Sequence, residues 1–337
     1  MIISRTPFRI SFLGGGSDLP GFYAKSKGAV LSVAINKYMY ISVHPFFNRK
    51  KIQLKYSKTE LCSSLDEINH PIFREVLRYL NLKEGLEIVS SADVPSGTGL
   101  GSSSSFTVGL LNSLYSYKGE YVLKSRLASE ASMIEIEKLG EPIGKQDQYA
   151  SAFGGMNIIN FNLDGSVDVN PISLKQSILK KLEKNLLLFY TNISRRAGDI
   201  LVQQRENIKS EKKFSIQKKM VELVWEAREA LYQGKLQSFG ELLNKGWQLK
   251  KSLTDKISNS IIDNYYSIAL ENGAIGGKLL GAGGGGFLLL YCEKENQEDL
   301  RKALCDLYEL KFSFDWQGSN IIYDDGRGQE NNTGFFE

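Results

Sequence analysis

The chain has few of the side chains that build metal sites and disulfide frameworks. Its only histidines, His44 and His70, are too few and too isolated for a histidine-based metal site or catalytic triad. The cysteines, Cys62, Cys292 and Cys305, have no metal-binding spacing, and their odd number argues against a disulfide framework. The functional residues are therefore expected among other residue types.

Long apolar runs and a strong net charge are also missing. The longest apolar run, residues 287–292, is far too short to span a membrane, and the N-terminus shows no signal-peptide pattern. The net charge of +4 is mild, and Lys and Arg are widely spread. We therefore expect a cytoplasmic protein without a membrane or nucleic-acid partner, although an anionic small substrate stays compatible with this charge. The sequence does not indicate an oligomeric state.

Glycine, in contrast, is concentrated in loops between apolar segments. In residues 95–105, three glycines at alternate positions precede four serines and an apolar, helix-like segment. Glycine lets the backbone approach a ligand closely, and a helix N-terminus favours an anion, so this segment predicts a phosphate-binding loop. It is neither a P-loop nor a dinucleotide fingerprint, because the closing Gly-Lys-Ser/Thr and the glycine spacing are absent. A flexible linker is the alternative, and the packed-looking flanks argue against it.

Three further segments carry candidate functional residues. In residues 7–18 a predicted strand ends in three glycines and then presents Asp18, which can accept hydrogen bonds from sugar hydroxyls or serve as an ordinary helix cap. In residues 140–148 a Pro/Gly loop delivers Asp147 after a helix that carries Glu135. A helix cap at Asp147 and an exposed surface position at Glu135 are the alternatives. Residues 281–286 contain five glycines between apolar strands, which predicts a loop closing over a nucleotide.

Apolar periodicity predicts a mixed α/β first half and a mainly helical segment over residues 196–272. Strands are expected at residues 2–12, 38–43, 52–56, 86–89, 156–161, 186–190 and 311–314. Helices are expected at residues 103–117, 123–138, 212–233, 236–253 and 296–309.

Taken in order, the glycine-rich segments resemble the three signature motifs of the GHMP kinases, the superfamily of galactokinase, homoserine kinase, mevalonate kinase and phosphomevalonate kinase. Residues 95–104 match the Pro-x3-Gly-Leu-x-Ser-Ser loop, residues 278–286 match the C-terminal glycine motif, and residues 7–18 fall on the N-terminal motif. The resemblance implies an α+β fold of two domains with an ATP site between them. Residues 1–175 would form a domain like the second domain of ribosomal protein S5, and residues 176–337 a ferredoxin-like domain.

Within that superfamily the chain looks similar to the bacterial D-glycero-D-manno-heptose 7-phosphate kinases and to fucokinase domains, through residues 8–18, 144–150 and 153–155. Galactokinases carry an acidic residue and a histidine where Gly15 and Gly16 stand here, which disfavours galactose. The resemblance implies ATP-dependent phosphorylation of the C1 hydroxyl of the heptose 7-phosphate to the 1,7-bisphosphate, for nucleotide-activated heptose synthesis. An L-fucokinase-like enzyme, an inactive sugar-binding homologue and an RNA-associated module of S5-like fold are the alternatives.

The resemblance also implies roles for individual residues. Asp147 would be the catalytic residue that accepts the proton of the sugar hydroxyl or orients it, with Arg9 as the nearby cation that keeps it ionised and stabilises the transferring phosphoryl group. Ser103 and Glu135 would coordinate Mg²⁺, with Glu137 as the alternative carboxylate. The expected ATP-binding residues are Pro95, Ser96, Gly97, Thr98, Gly99, Leu100, Gly101, Ser102, Ser103 and Ser104.

A sugar phosphate needs cations at the end distant from the reacting hydroxyl, and Lys145 and the pair Arg195 and Arg196 are the candidates, with a solvated helix start as the alternative for the arginines. The expected substrate-binding residues are Gly14, Gly15, Gly16, Ser17, Asp18, Lys145, Arg195, Gly283, Gly284 and Gly285.

Overall fold

The computed structural model describes residues 1–193, 200, 202–203 and 210–326. Arg195 and Arg196, the predicted phosphate-binding pair, lie outside these residues. The described elements form two β-sheets with helices packed against them, which confirms the predicted α+β class.

The first sheet is built from eight strands. They are β1 (Ile2–Leu13), β2 (Gly28–Pro45), β3 (Ile52–Lys55), β4 (Thr59–Cys62), β5 (Leu86–Ala92), β6 (Met156–Phe161), β7 (Val167–Pro171) and a C-terminal strand, β12 (Asn320–Asp324). The order is β12-β1-β2-β5-β3-β4, and β6 pairs with β2 and β7. The pair β3–β5 is parallel and the other pairs are antiparallel.

Helices from the same half of the chain cover this sheet. They are α1 (Pro20–Tyr23), α2 (Pro71–Tyr79), α3 (Ser102–Tyr117), α4 (Lys124–Ser132), which continues as a π-helix over Met133–Lys138, and α5 (Gln146–Phe153). Helix α3 contacts β1, β2, α4 and α5, which explains why its apolar residues are buried on every side. A Cβ at Gly109 would lie 2.9 Å from Thr6 Oγ1, so this glycine lets α3 approach β1 closely.

The second sheet has the order β11-β8-β10-β9, with every pair antiparallel. Its strands are β8 (Leu186–Tyr190), β9 (Ala274–Leu279), β10 (Phe287–Cys292) and β11 (Tyr308–Glu309). The described helices of this half are α6 (Gln176–Asn185), α7 (Glu211–Tyr232), α8 (Leu236–Lys251), α9 (Ser260–Glu271) and α10 (Gln297–Ala303).

Strand β10 is buried at every position because its two faces belong to two different hydrophobic cores. Leu289 and Tyr291 join the large core shared with the first sheet, whereas Leu288 and Leu290 join a smaller core under α9. Helix α8 bridges the halves: its Phe239 ring packs edge-on against Phe12 of β1, with ring centroids 5.3 Å apart. This contact packs the first turn of α8 against the C-terminal end of β1.

The C-terminal segment returns to the first sheet. The strand predicted at 311–314 is wrong, because Phe314 makes only an isolated bridge with Ile35, and Asp315 N donates to Ala34 O at 2.9 Å. Strand β12 then pairs with β1, with Ile2 opposite Asp324. The division of the chain at residue 175 stays a prediction, and this last described strand lies on the sheet of the first half.

None of the helices in the described part of the chain is long and apolar enough to cross a membrane.

Candidate active site

The predicted phosphate loop lies between β5 and α3. Its glycines Gly97, Gly99 and Gly101 all have positive φ, and α3 begins directly after Gly101. The backbone N–H of Arg9 in β1 donates to Leu100 O at 3.1 Å, which ties the loop to the first sheet. Residues 95–97 are exposed at its crest, whereas the Thr98 hydroxyl turns inward and donates to Pro95 O at 2.9 Å. The result is a fixed loop that leads into the N-terminus of a sixteen-residue helix, an arrangement suited to an anion.

The second glycine loop, residues 281–286, packs directly behind the first. A Cβ at Gly99 would lie 2.6 Å from Leu280 O, and Phe287 N donates to Thr98 O at 3.1 Å. The predicted substrate-binding residues Gly283, Gly284 and Gly285 are buried, and Gly284 N donates to Ile257 O at 2.8 Å. In this structure the loop therefore supports the phosphate loop, and a contact of these three glycines with substrate stays a prediction.

Arg9 and Asp147 form a two-point ion pair beside the phosphate loop. Arg9 Nε donates to Asp147 Oδ1 at 2.7 Å and Nη2 donates to Oδ2 at 2.6 Å, while Nη1 donates to Gly99 O at 2.7 Å. The guanidinium is buried, but 23% of the Asp147 side chain remains exposed. Asp147 lies in the first turn of α5, and its side chain caps no helix, so the capping alternative is excluded. A bidentate pair fixes the plane of the carboxylate, which suits a group that must face a hydroxyl.

Glu135 lies in the π-helical segment and points at the start of α3. Its Oε1 accepts from the Ser103 hydroxyl and its Oε2 from Gln148 Nε2, both at 2.7 Å. Glu135 is fully buried, and burial raises the pKa of this carboxyl to about 7. The surface alternative for Glu135 is therefore excluded, whereas Glu137 is exposed. Of the two glutamates, Glu135 is the one placed next to Ser103.

Asp18 is held at the end of the first glycine segment. Its Oδ1 accepts from Gly16 N at 2.9 Å and its Oδ2 accepts from Gln146 N at 3.2 Å. Burial, together with the nearby negative charge of Asp147, raises the pKa of Asp18 to about 6. Helix α1 is preceded by Leu19 and has no side-chain cap, so Asp18 is not a helix cap. The carboxyl lies beside the Arg9–Asp147 pair, and its contact with a sugar stays a prediction.

The glycines before Asp18 are packed against the second half of the chain. Gln217 of α7 donates to Gly15 O at 3.2 Å, and Gly14 is buried against Ala29 and Val224. Ser17 is buried and its hydroxyl donates to Ala29 O at 3.0 Å. These contacts hold the segment in place, and of its three glycines Gly15 and Gly16 are partly exposed.

Lys145, the other predicted phosphate-binding cation, immediately precedes α5. Its Nζ donates to Gly165 O at 2.8 Å in the β6–β7 turn and lies 5.3 Å from the centre of the Tyr23 ring. Burial lowers the pKa of this lysine. Lys145 is therefore near the site but engaged by neutral groups, and its role in binding a phosphate stays a prediction.

The sequence interpretation missed two buried lysines from the second half. Lys250 Nζ, near the end of α8, donates to Gly281 O, and Lys278 Nζ of β9 donates to Phe12 O at 2.8 Å. The sequence could have indicated that Lys250 is buried, because it follows Leu243 and Trp247 at helical spacing on the buried face of α8. A lysine in an apolar stripe needs a polar partner, but the sequence does not tell which one.

The donor set fits a nucleotide with Mg²⁺. The phosphate loop offers backbone N–H groups at a helix N-terminus, and Ser103 and Glu135 offer oxygen ligands. In the described ranges no group of three or more His, Cys, Asp or Glu side chains could hold a metal. A single carboxylate with a hydroxyl suits an ion that takes its remaining ligands from phosphates and water.

Comparison with known proteins defines the class. Residues 69–155 match the family model of the GHMP kinases N terminal domain, and residues 227–310 match that of the GHMP kinases C terminal. The chain belongs to the GHMP kinase family. Its relatives there include sugar kinases and a mevalonate kinase, which are phosphotransferases with an alcohol group as acceptor.

Three proteins similar to this chain bear on the kind of sugar kinase it resembles. The chain is 30% identical, over 94% of its length and 97% of the relative, to the D-glycero-alpha-D-manno-heptose 7-phosphate kinase of Campylobacter jejuni. It is 27% identical, over 88% of its length but 30% of the relative, to the bifunctional fucokinase/GDP-fucose pyrophosphorylase of Arabidopsis thaliana. The crystal structure of a D-glycero-D-manno-heptose 1-phosphate kinase from Bacteroides thetaiotaomicron superposes with a TM-score of 0.77 at 25% identity, covering 96% of this chain and 100% of that one.

Proposed function

We propose that this protein transfers the γ-phosphoryl group of ATP to the C1 hydroxyl of D-glycero-D-manno-heptose 7-phosphate. The product is the 1,7-bisphosphate, which serves nucleotide-activated heptose synthesis in the cytoplasm. The observation that carries the proposal is the Arg9–Asp147 pair, which is held against the phosphate loop through Gly99 O. The heptose kinase relative, aligned over nearly the whole chain, supports this choice of acceptor.

Asp147 is the residue that faces the acceptor hydroxyl. Its carboxylate accepts the hydroxyl proton as the new P–O bond forms, or orients the hydroxyl if the proton leaves late. Arg9 fixes the carboxylate plane through two hydrogen bonds and offsets its charge. The partial exposure of Asp147 leaves room for a substrate against it.

Ser103 and Glu135 hold the metal ion in this proposal. Mg²⁺ bound there supplies positive charge that neutralises the phosphate oxygens. Gln148 donates to the second oxygen of Glu135 and orients this carboxylate toward Ser103. The backbone N–H groups between Gly97 and Ser104 bind the β- and γ-phosphates.

Asp18, Gly15 and Gly16 bind the sugar hydroxyls in this scheme. Asp18 is fixed by the backbone N–H groups of Gly16 and Gln146, so it is preorganised to accept from vicinal hydroxyls. Lys145 and Arg195 take the distant phosphate of the acceptor. An L-fucokinase-like enzyme for an unphosphorylated sugar is the second candidate, favoured by the match to the plant fucokinase.

A coupled ADP-release assay with heptose 7-phosphate, L-fucose, galactose, mannose and mevalonate tests the proposal, with the Asp147→Asn variant as the background control. We expect kcat/KM for the heptose 7-phosphate to exceed that for the free sugars by about a hundredfold or more, because a site built for a phosphate rejects substrates that lack it. Phosphorus NMR of the product should show a second phosphate coupled to the anomeric proton. A preference for L-fucose would replace the proposal by its alternative, and no ADP release with any sugar would indicate a sugar-binding homologue without activity.

A further inference from the structure

The second half of the chain inserts two buried ammonium groups between the domains. Lys250 and Lys278 are 7% and 6% exposed, and in the part of the chain that the structure describes their acceptors are the neutral carbonyls Gly281 O and Phe12 O. Burying a lysine without a carboxylate partner is costly. Such a group is electrostatically unsatisfied and favours an incoming anion.

Lys250 contacts the second glycine loop at the point where this loop meets the phosphate loop. Its acceptor is Gly281 O, and Gly281 packs so closely on Gly99 that an added Cβ would lie 2.6 Å from Gly99 Cα. The ammonium therefore lies where the two glycine loops contact each other. Its charge interacts with Asp18, Asp147 and Arg9, and burial lowers its pKa to about 8. Lys278, by contrast, interacts electrostatically with the cations Lys250 and Arg9.

Arg9 is already engaged in this arrangement. Three of its donors serve Asp147 and Gly99 O, and its charge is offset by the Asp147 carboxylate. Lys250 is therefore a cation beside the phosphate loop whose charge no ion pair with a described residue neutralises. In phosphoryl transfer the negative charge of the moving group is spread over its equatorial oxygens, and a fixed cation next to them lowers the barrier.

We propose that Lys250 is a further catalytic residue, whose ammonium binds the oxygens of the transferring phosphoryl group from the side of the second domain. This inference rests on the proposed function, because it takes the two glycine loops as the nucleotide site. No new covalent step is involved: Lys250 stays protonated, and the acceptor proton goes to Asp147. Because α8 belongs to the second half, both halves of the chain then contribute a side chain to the transferring group.

Nucleotide binding gives a test that needs no acceptor. Calorimetry compares the affinity for Mg²⁺·ADP with that for Mg²⁺·ADP plus aluminium fluoride, which imitates the transferring group. In Lys250→Met we expect ADP affinity to stay within about twofold of wild type and the gain from fluoride to fall by about tenfold or more. Lys278→Met is the matched control, because Lys278 is equally buried between the two halves. It should keep the gain in affinity that fluoride gives.

Kinetics supply the second readout. With the acceptor, Lys250→Met should lose about a hundredfold in kcat with little change in either KM, and Lys250→Arg should recover part of kcat because it keeps the charge. A higher KM for the sugar phosphate at unchanged kcat would overturn the proposal and assign Lys250 to the acceptor's own phosphate. Equal fluoride-dependent binding in wild type and a folded Lys250→Met would overturn it in favour of a purely structural contact.

The two proposals fail separately. If Lys250→Met does not fold, Lys250→Arg is the variant to test. If Lys250→Arg binds ADP like wild type but loses the gain in affinity from fluoride, the idea that the positive charge at this position is sufficient is wrong. If the wild-type protein phosphorylates none of the sugars yet shows the fluoride effect, the proposed acceptor is wrong and the assignment of Lys250 stands.

Discussion

Replacing Glu135 by glutamine should stabilise the ligand-free protein above neutral pH. The folded-state pKa of Glu135 is raised from 4.5 to about 7, chiefly by burial, so the folded protein binds this proton more tightly than the unfolded chain. Its contribution to stability is therefore fully present below pH 4.5 and is lost as the pH rises through 7. At roughly 1.4 kcal/mol per pH unit, the ionised carboxylate costs about 3 kcal/mol at pH 8 and under about 1 kcal/mol at pH 5.

The glutamine variant removes this cost because its side chain has nearly the same shape and stays neutral. With the Gln148 amide turned over, the new amide can donate to Gln148 Oε1, a buried atom without a hydrogen-bond partner in the described structure. The free energy of unfolding, measured by urea titration without Mg²⁺ from pH 5 to 8, should therefore diverge between variant and wild type by about 2 to 3 kcal/mol. In the kinase assay the same variant should need an Mg²⁺ concentration at least about tenfold higher for half-maximal activity.

Glu137→Gln is the matched control for this prediction. Glu137 is exposed, lies two positions along the same π-helical segment, and should leave both the pH dependence and the Mg²⁺ requirement unchanged. If the free energies of unfolding of wild type and Glu135→Gln change in parallel with pH, the reasoning is refuted, because burial then does not shift the pKa of Glu135.

Three further substitutions test the rest of the site. Asp147→Asn should lower kcat by about a hundredfold or more with nearly unchanged ATP binding, and turnover like that of wild type would remove Asp147 from the mechanism. Gly101→Val should abolish ATP binding, because this residue has φ of +77° and its Cβ would lie 3.2 Å from Asp147 Oδ2; calorimetry showing unchanged affinity would mean that the phosphate loop is misplaced. Arg195→Ala should raise the KM for the sugar phosphate by about tenfold and leave that for ATP alone, and equal KM values would exclude this arginine from the acceptor site.

Local signals explain what the sequence could predict. The glycine spacing of residues 95–105 predicted a loop that leads into a helix, and phosphate binding there stays a prediction. The apolar runs at Leu186–Tyr190 and Met156–Phe161 predicted two strands with their observed bounds. These features depend on neighbouring residues, so periodicity and composition reveal them. The family resemblance added the pairing of Arg9 with Asp147, residues 138 positions apart, which no local pattern contains.

Contacts between distant segments explain what the sequence could not predict. After β11 the chain returns to the first sheet. Its path there is set by pairing with distant residues, because Phe314 bridges to Ile35 and β12 pairs with β1 at Ile2. Lys250 shows the same limit, because its position on α8 marks it as buried but only the packing of α8 on β9 brings it to Gly281. Long-range packing of this kind overrides local propensity.

Burial shifts the pKa values of three groups at the candidate site. Burial raises the pKa of Asp18 to about 6 and of Glu135 to about 7, and it lowers that of Lys250 to about 8. Each shift favours the neutral form, so in the ligand-free protein desolvation outweighs pairing at all three groups. In the proposed complex, a nucleotide with its metal ion would supply opposite charges to Lys250 and Glu135 at once. Binding therefore recovers free energy that these buried groups cost the ligand-free fold, and the protein is expected to gain more stability from the complete Mg²⁺·ADP–fluoride complex than from Mg²⁺ and ADP alone.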